Sequence, residues 1–184
     1  MATRELVDDL KQKMAEERAT LIAAATSLSA EDALRVPVDA EGEEQWTALE
    51  QLAHLHEMER TYDAWVRAAL AEDGADLAGI PWQSVPIPVE RANGHAIAEL
   101  LHNLALERQY TLGLIDGTRL EDFERVGVSP IFGRLTVLQW LRSFYRHDRQ
   151  HGAQILGRKS DYQPNFQGKE PNQRQARLAR TSRG

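Results

Sequence analysis

Thr136-Val-Leu-Gln-Trp-Leu-Arg-Ser-Phe-Tyr-Arg-His-Asp-Arg-Gln-His-Gly-Ala-Gln-Ile155 is the stretch that decides how the chain is read. It opens on a capping box, in which Thr136 and Gln139 each satisfy a backbone donor left over where a helix begins. Behind the box, Val137, Trp140, Phe144, His147, His151 and Ile155 recur at spacings of three and four, one helix face turned toward a core. His147 and His151 continue that apolar row, whereas Arg142, Arg146 and Arg149 fall on other sides. Four residues apart, the two imidazoles project from one face about one turn from each other, a spacing suited to chelating a metal. With six histidines in 184 residues, chance alone supplies about 0.2 such pairs. The apolar row therefore carries the inference more than the spacing does. Asp148 falls near the middle of the same face, and a buried carboxylate needs a partner. Two roles are open to it: orienting a ligand imidazole from behind, or pairing with a basic residue.

A helix with one apolar face needs others to cover it, and the rest of the chain supplies three. One is expected from about residue 3 to 25, on Leu6, Leu10, Met14, Leu21 and Ala25. A second opens on another capping box, Thr47-Ala-Leu-Glu50, and runs to about residue 71 before Asp73-Gly74. A third is expected from about residue 93 to 115, closed by Asp116-Gly117. No segment reads as a strand. Between the second and third helices lies a Pro-rich connector, residues 81–88, which contains Trp82 and is long for a bundle loop. The fold class that follows is all-α, a four-helix bundle occupying residues 1–158.

A third ligand has to come from another helix. In the second helix His54 and His56 are two apart and point in nearly opposite directions. His54 stands four and eleven residues before Met58 and Trp65 on the apolar face, so it is taken as the ligand and His56 is expected on the solvent side. His95 and His102 are read as surface histidines, with the rim of a pocket as the other option. Three imidazoles without a cysteine describe an open site, since structural zinc sites usually close with four protein ligands that include sulfur. Imidazole suits zinc, nickel, copper or iron.

The composition limits the function classes. There are no cysteines, which excludes disulfides and a thiol nucleophile on the chain itself. No apolar run approaches the roughly 20 residues of a membrane span, so a cytoplasmic location without membrane contact is expected. The net charge is −6, yet residues 159–184 hold six basic residues and two acids, leaving −10 on the other 158. A body that acidic repels phosphate backbones, and nucleic acid is not expected as a partner. The basic segment 159–184, with Pro164, Pro171 and little apolar content, is read as a flexible tail.

At this point the residues resemble a known family. Gly133-Arg-Leu-Thr-Val-Leu-Gln-Trp-Leu followed by His147-Asp-Arg-Gln-His151-Gly-Ala-Gln-Ile155 is similar to the fourth helix of the DinB-like superfamily. Trp46-Thr-Ala-Leu-Glu-Gln-Leu-Ala-His54 is similar to the start of its second. The likeness covers most of residues 1–158 and leaves the basic tail outside. It implies an up-up-down-down bundle, often a homodimer, with a divalent metal on three histidines that map to His54, His147 and His151. Characterised members include bacillithiol transferases and mycothiol-dependent maleylpyruvate isomerase, so the resemblance implies a low-molecular-weight thiol as co-substrate. The leading expectation is thus metal-dependent transfer of such a thiol to a small electrophilic substrate. Trp82, Trp140 and Phe144 are expected as apolar walls, with Arg108, Arg146 or Arg149 holding a carboxylate of the thiol. The alternatives are a metal-dependent hydrolase, with Asp148 or Glu57 as general base, and a non-enzymatic ligand-binding or stress-related bundle.

Overall fold

The computed structural model describes residues 1–36, 45–162 and 164–167. Five helices and three short strands are present among them: α1 (Arg4–Thr26), α2 (Ala30–Ala33), α3 (Ala48–Ala71), β1 (Ala75–Asp76), α4 (Ile97–Gly117), β2 (Val126–Ser129), β3 (Gly133–Thr136) and α5 (Val137–Ile155). Single 3-10 turns at Val89–Gly94 and Leu120–Glu124 precede α4 and β2. The four long helices α1, α3, α4 and α5 form the bundle. Both expected capping boxes are in place: Thr47 accepts from the Glu50 amide while Glu50 reaches back to Thr47, and Thr136 and Gln139 do the same at α5. These boxes fix the phase at which each helix presents its apolar face.

Helix directions follow from which residues meet. Arg18 pairs with Asp148 and Leu21 lies against Gly152, so α1 and α5 run parallel. Glu59 meets Arg108 and Thr111, and Thr47 hydrogen-bonds Asn93, so α3 and α4 also run parallel. Lys11 bonds Asp116 while Arg18 reaches the Leu104 carbonyl, which sets α1 antiparallel to α4. In chain order the bundle is therefore up-down-down-up, a correction to the expected up-up-down-down. The physical reason lies in the connections. An up-up-down-down order needs two crossovers spanning the bundle length. Here the segment 72–96 alone makes that journey, and the ends of α1 and α3 that follow one another share one apolar cluster.

Two such clusters fill the bundle. One gathers Val7, Leu10, Met14, Met58, Trp65, Ile115, Phe123, Trp140 and Phe144; the other gathers Leu21, Ala25, Leu49, Leu52, Leu100, Leu104 and Ile155. Polar residues separate them at mid-height, and the candidate site lies in that layer. The strands escaped the sequence reading because they are two to four residues long. β1 pairs parallel with β2, and β2 pairs antiparallel with β3, sealing the end of the bundle from which α5 departs. Gly127 of β2 packs closely there: a Cβ would come within 2.8 Å of the end of the Leu77 side chain, which would have to shift.

No helix among the described residues is long and apolar enough to cross a membrane. Beyond α5 the chain turns back along the bundle. Tyr162 lies under the Arg146 guanidinium at 5.7 Å, Phe166 packs on Phe132 at 5.3 Å, and the Gln167 amide donates to the Ile131 carbonyl. Residues 168–184, most of the expected flexible tail, lie outside the described residues.

Candidate metal centre

His54 on α3 and His147 and His151 on α5 converge in the interior. Ring centroids are 5.0 Å apart for His54 and His147, 5.3 Å for His54 and His151, and 4.5 Å for His147 and His151. One nitrogen from each ring can be chosen so that all three lie within 4.8 Å of one another. All three residues are buried. Burial pushes the His147 imidazole down to about 4, and burial together with the neighbouring His147 holds His151 well below its ordinary value. Both rings are therefore neutral at pH 7, the state in which imidazole offers a lone pair to a metal.

The residues around the triad choose which nitrogen does so. Gln51, one turn before His54 on α3, donates from Nε2 to the Trp46 carbonyl at 3.2 Å. That bond turns its Oε1 toward His151 Nδ1, 3.1 Å away. A carbonyl oxygen only accepts, so His151 carries its proton on Nδ1 and presents the lone pair of Nε2. Nε2 of His151 in turn lies 2.9 Å from Nε2 of His147, both nitrogens bordering one point. Trp46 stacks edge-on against His54 at 4.7 Å and packs that ring from behind. A divalent cation fits this donor set, with three buried imidazoles, two of them held neutral and one of those tautomerically fixed, and no thiolate.

Asp148 takes the second of its two open roles. Its oxygens accept from Arg18 (Nε at 3.0 Å, Nη2 at 3.1 Å) and from Arg108 (Nη2 at 2.9 Å). Glu59 on α3 completes a neutral square, bonding Arg18 Nη2 at 2.5 Å and Arg108 Nε at 2.6 Å. Burial opposes ionisation of Glu59, but Arg108 and Arg18 outweigh it and hold the carboxyl down to about 2. Each arginine also caps a helix carbonyl, Arg18 that of Leu104 and Arg108 that of Met14. One charge from each long helix thus meets in the interior, near enough for Asp148, Glu59 and Arg18 to act on the charge of His147. Arg108 accordingly sits in the interior, tied to two carboxylates, and not on a pocket wall.

The other expected residues fall as follows. Trp140 and Phe144 are buried and reach the site through Tyr62, which lies 5.9 Å, 5.6 Å and 6.1 Å from Trp140, Phe144 and His147. Trp82 is 39% exposed on the connector and touches Trp65 at 6.4 Å, forming the outer end of the same aromatic run. Glu57 accepts from the Val89 amide at 3.2 Å and so anchors the connector. Arg146 and Arg149 are engaged with Tyr162 and Asp161 at the surface. His95 pairs with Glu99, and His102 is exposed.

His56 corrects the reading: it is buried, with Nε2 3.4 Å from Glu107 of α4. The reason is that α3 is covered by α4 and by the 3-10 turn at Val89–Gly94 as well as by α5, so it has no broad solvent face. Gln51, Trp46, Tyr62, Arg18 and Glu59 were missed. The available signal was polarity in an apolar row, since Arg18 stands four after Met14 and three before Leu21. A surface groove of about 550 Å³ between α3 and α4 is lined by Arg67, Tyr110, Gly113 and Asp122 among others, and none of the triad borders it.

Residues 7–155 match the family profile of the DinB superfamily, four-fifths of the chain. The chain belongs to the DinB superfamily. The uncharacterized protein YuaE of Bacillus subtilis (strain 168) is 24% identical over 125 residues, 61% of this chain and 76% of that one. The solved structure of YfiT from Bacillus subtilis superposes with a TM-score of 0.67 at 17% identity, over 85% of this chain and 87% of that one. YfiT is described as a probable metal-dependent hydrolase with an unusual four-helix bundle topology. At that identity the likeness concerns the fold alone.

Proposed function

We propose that this chain is a divalent-metal-dependent enzyme that transfers a low-molecular-weight thiol to an electrophilic small molecule. One observation carries the reading: three buried imidazoles from two helices bordering one point, with the nitrogen that His151 turns toward that point selected by Gln51. A divalent ion, when bound, supplies Lewis acidity that lowers the pKa of a thiol or water brought to it. His54, His147 and His151 hold the ion, and Trp46 with the surrounding helices keeps bulk water away. Trp140, Phe144 and Trp82 form the apolar side on which an electrophile is seated.

The choice between thiol and water rests on the carboxylates. A hydrolase benefits from a general base beside the metal, and both candidates for that duty are engaged: Asp148 by Arg18 and Arg108, Glu57 by the connector. A thiol, with an ordinary pKa near 8.5, needs less help to ionise than water does. Hydrolysis is the second reading, supported by the description of YfiT. Zinc, nickel and iron are the candidate metals, the cytoplasm the proposed location, and a homodimer the proposed assembly, to be read from the sedimentation mass.

Metal content and turnover test the reading together. The purified protein is expected to hold one equivalent of metal, with His54→Ala and His151→Ala each losing it while keeping the helical circular dichroism spectrum. The metal-loaded protein is expected to conjugate thiols to a panel of activated electrophiles. Metal retained by both variants removes the site. Ester or amide cleavage without thiol selects the hydrolase, and bound metal without any turnover selects a binding bundle.

A further inference from the structure

Each metal-ligand candidate on α5 is followed three residues later by a glutamine, in His147-Asp-Arg-Gln150 and in His151-Gly-Ala-Gln154. At about 100° per residue, Gln150 and Gln154 fall about 60° and 20° to one side of His147, while His151 and Asp148 fall about 40° and 100° to the other. The arginine-bound side of the helix is thus satisfied, and the two amides flank the triad on the opposite side.

Gln150 and Gln154 are each 6% exposed. Their Oε1 atoms are shut off from solvent and accept no hydrogen bond. A buried carbonyl oxygen without a donor costs stability, and methionine would occupy the same volume without that cost. Two such oxygens one turn apart, repeated in register with the two histidines, form an arrangement that the bundle itself does not use.

We propose that Gln150 and Gln154 are an acceptor pair that receives hydroxyl or ammonium groups of the small molecule brought to the metal centre. The pair selects a co-substrate carrying hydrogen-bond donors within a few bonds of its reacting sulfur. This inference rests on the thiol reading for the identity of the ligand, and on the two orphaned carbonyls for the donors. Apolar thiols satisfy neither oxygen and are discriminated against, because a desolvated acceptor left unpaired penalises the complex.

The test titrates the cobalt-loaded protein with 2-aminoethanethiol, 2-mercaptoethanol and ethanethiol, three thiols of equal carbon number that differ in the donor. Binding is read from the visible cobalt spectrum. The comparison is made with the Gln150→Met/Gln154→Met double variant, so that differences in intrinsic thiol acidity cancel. The preference of the native protein for the donor-bearing thiols over ethanethiol is expected to fall by about tenfold in the variant. The melting temperature of the metal-loaded variant is expected to be equal or higher. An unchanged preference overturns the pair and leaves the thiol reading standing, and a variant that melts several degrees lower also overturns it, by showing that the amides have internal partners. If no thiol perturbs cobalt in either protein, the thiol reading fails separately. The pair is then decided by melting alone, an equal or higher temperature sustaining it and a lower one overturning it.

Discussion

A neutral imidazole carries one proton, and its position decides which nitrogen is left to bind a cation. In His151 that position is dictated from α3 by a relay that starts at the Trp46 carbonyl and passes through the Gln51 amide. The orientation of the amide is not free, because a reversed Gln51 would set its oxygen against the Trp46 carbonyl. Gln51→Leu removes the acceptor at nearly constant volume, and metal affinity is expected to fall by about 10–100-fold, measured by competition with a chromophoric chelator. Gln51→Glu keeps an acceptor facing Nδ1 and is expected to retain metal within a few-fold. Equal loss in both variants would mean that the position serves packing and does not steer the tautomer. Of the other two rings, His54 packs against Trp46 at 4.7 Å, and His147 lies 5.0 Å from His54 and 6.1 Å from Tyr62.

The elements themselves were legible where local chemistry fixes them. Thr47-Glu50 and Thr136-Gln139 announce the starts of α3 and α5, and both boxes close as expected. Because the Thr136 box sets the phase of the helix that carries two ligands, Thr136→Ala is expected to cost about 1 kcal/mol of stability, read as a shift in the urea midpoint. No measurable shift would show that tertiary packing alone starts α5. The candidate ligands were legible for a related reason: His147 and His151 interrupt an apolar row that nothing else explains. What local pattern cannot give is the neighbour of a face. The spacing of His54 and His56 says that they diverge, but not that α4 waits on the far side with Glu107. Asp148 similarly advertises a need for a partner while its partners stand 130 and 40 residues away. The three strands carry too few residues for any alternation to register, and the order of helix directions depends on where a long connector lands.

At the scale of the molecule, the four charges of Arg18, Glu59, Arg108 and Asp148 bind the four long helices at mid-height. Such a square adds specificity of arrangement more than net stability, since each ion gave up its hydration to enter. Removing one member should therefore hurt more than the pair is worth: Arg108→Met leaves Glu59 and Asp148 half-compensated, and a loss of about 3–5 kcal/mol is expected in chemical denaturation. The same layer makes stability depend on pH in a defined sense. In the metal-free protein the His147 ring stays neutral down to about pH 4, whereas the unfolded chain takes up that proton near 6.5. His151 is shifted in the same direction. Between those limits the unfolded state binds more protons, so stability falls as the pH is lowered from about 6.5 toward 4. Glu59 adds a second stage, because it stays ionised in the fold to about 2 while the unfolded carboxyl protonates near 4.5. Thermal unfolding of the metal-stripped protein is thus expected to show a melting temperature that declines from pH 6.5 downward and steepens below 4.5. Bound metal should raise the whole curve near neutrality, and that gain should vanish as acid displaces the ion from its imidazoles. A metal-free protein that melts equally at pH 7 and pH 5 would mean that His147 and His151 are not held neutral in the interior, and the case for a preformed cation site would fall with them.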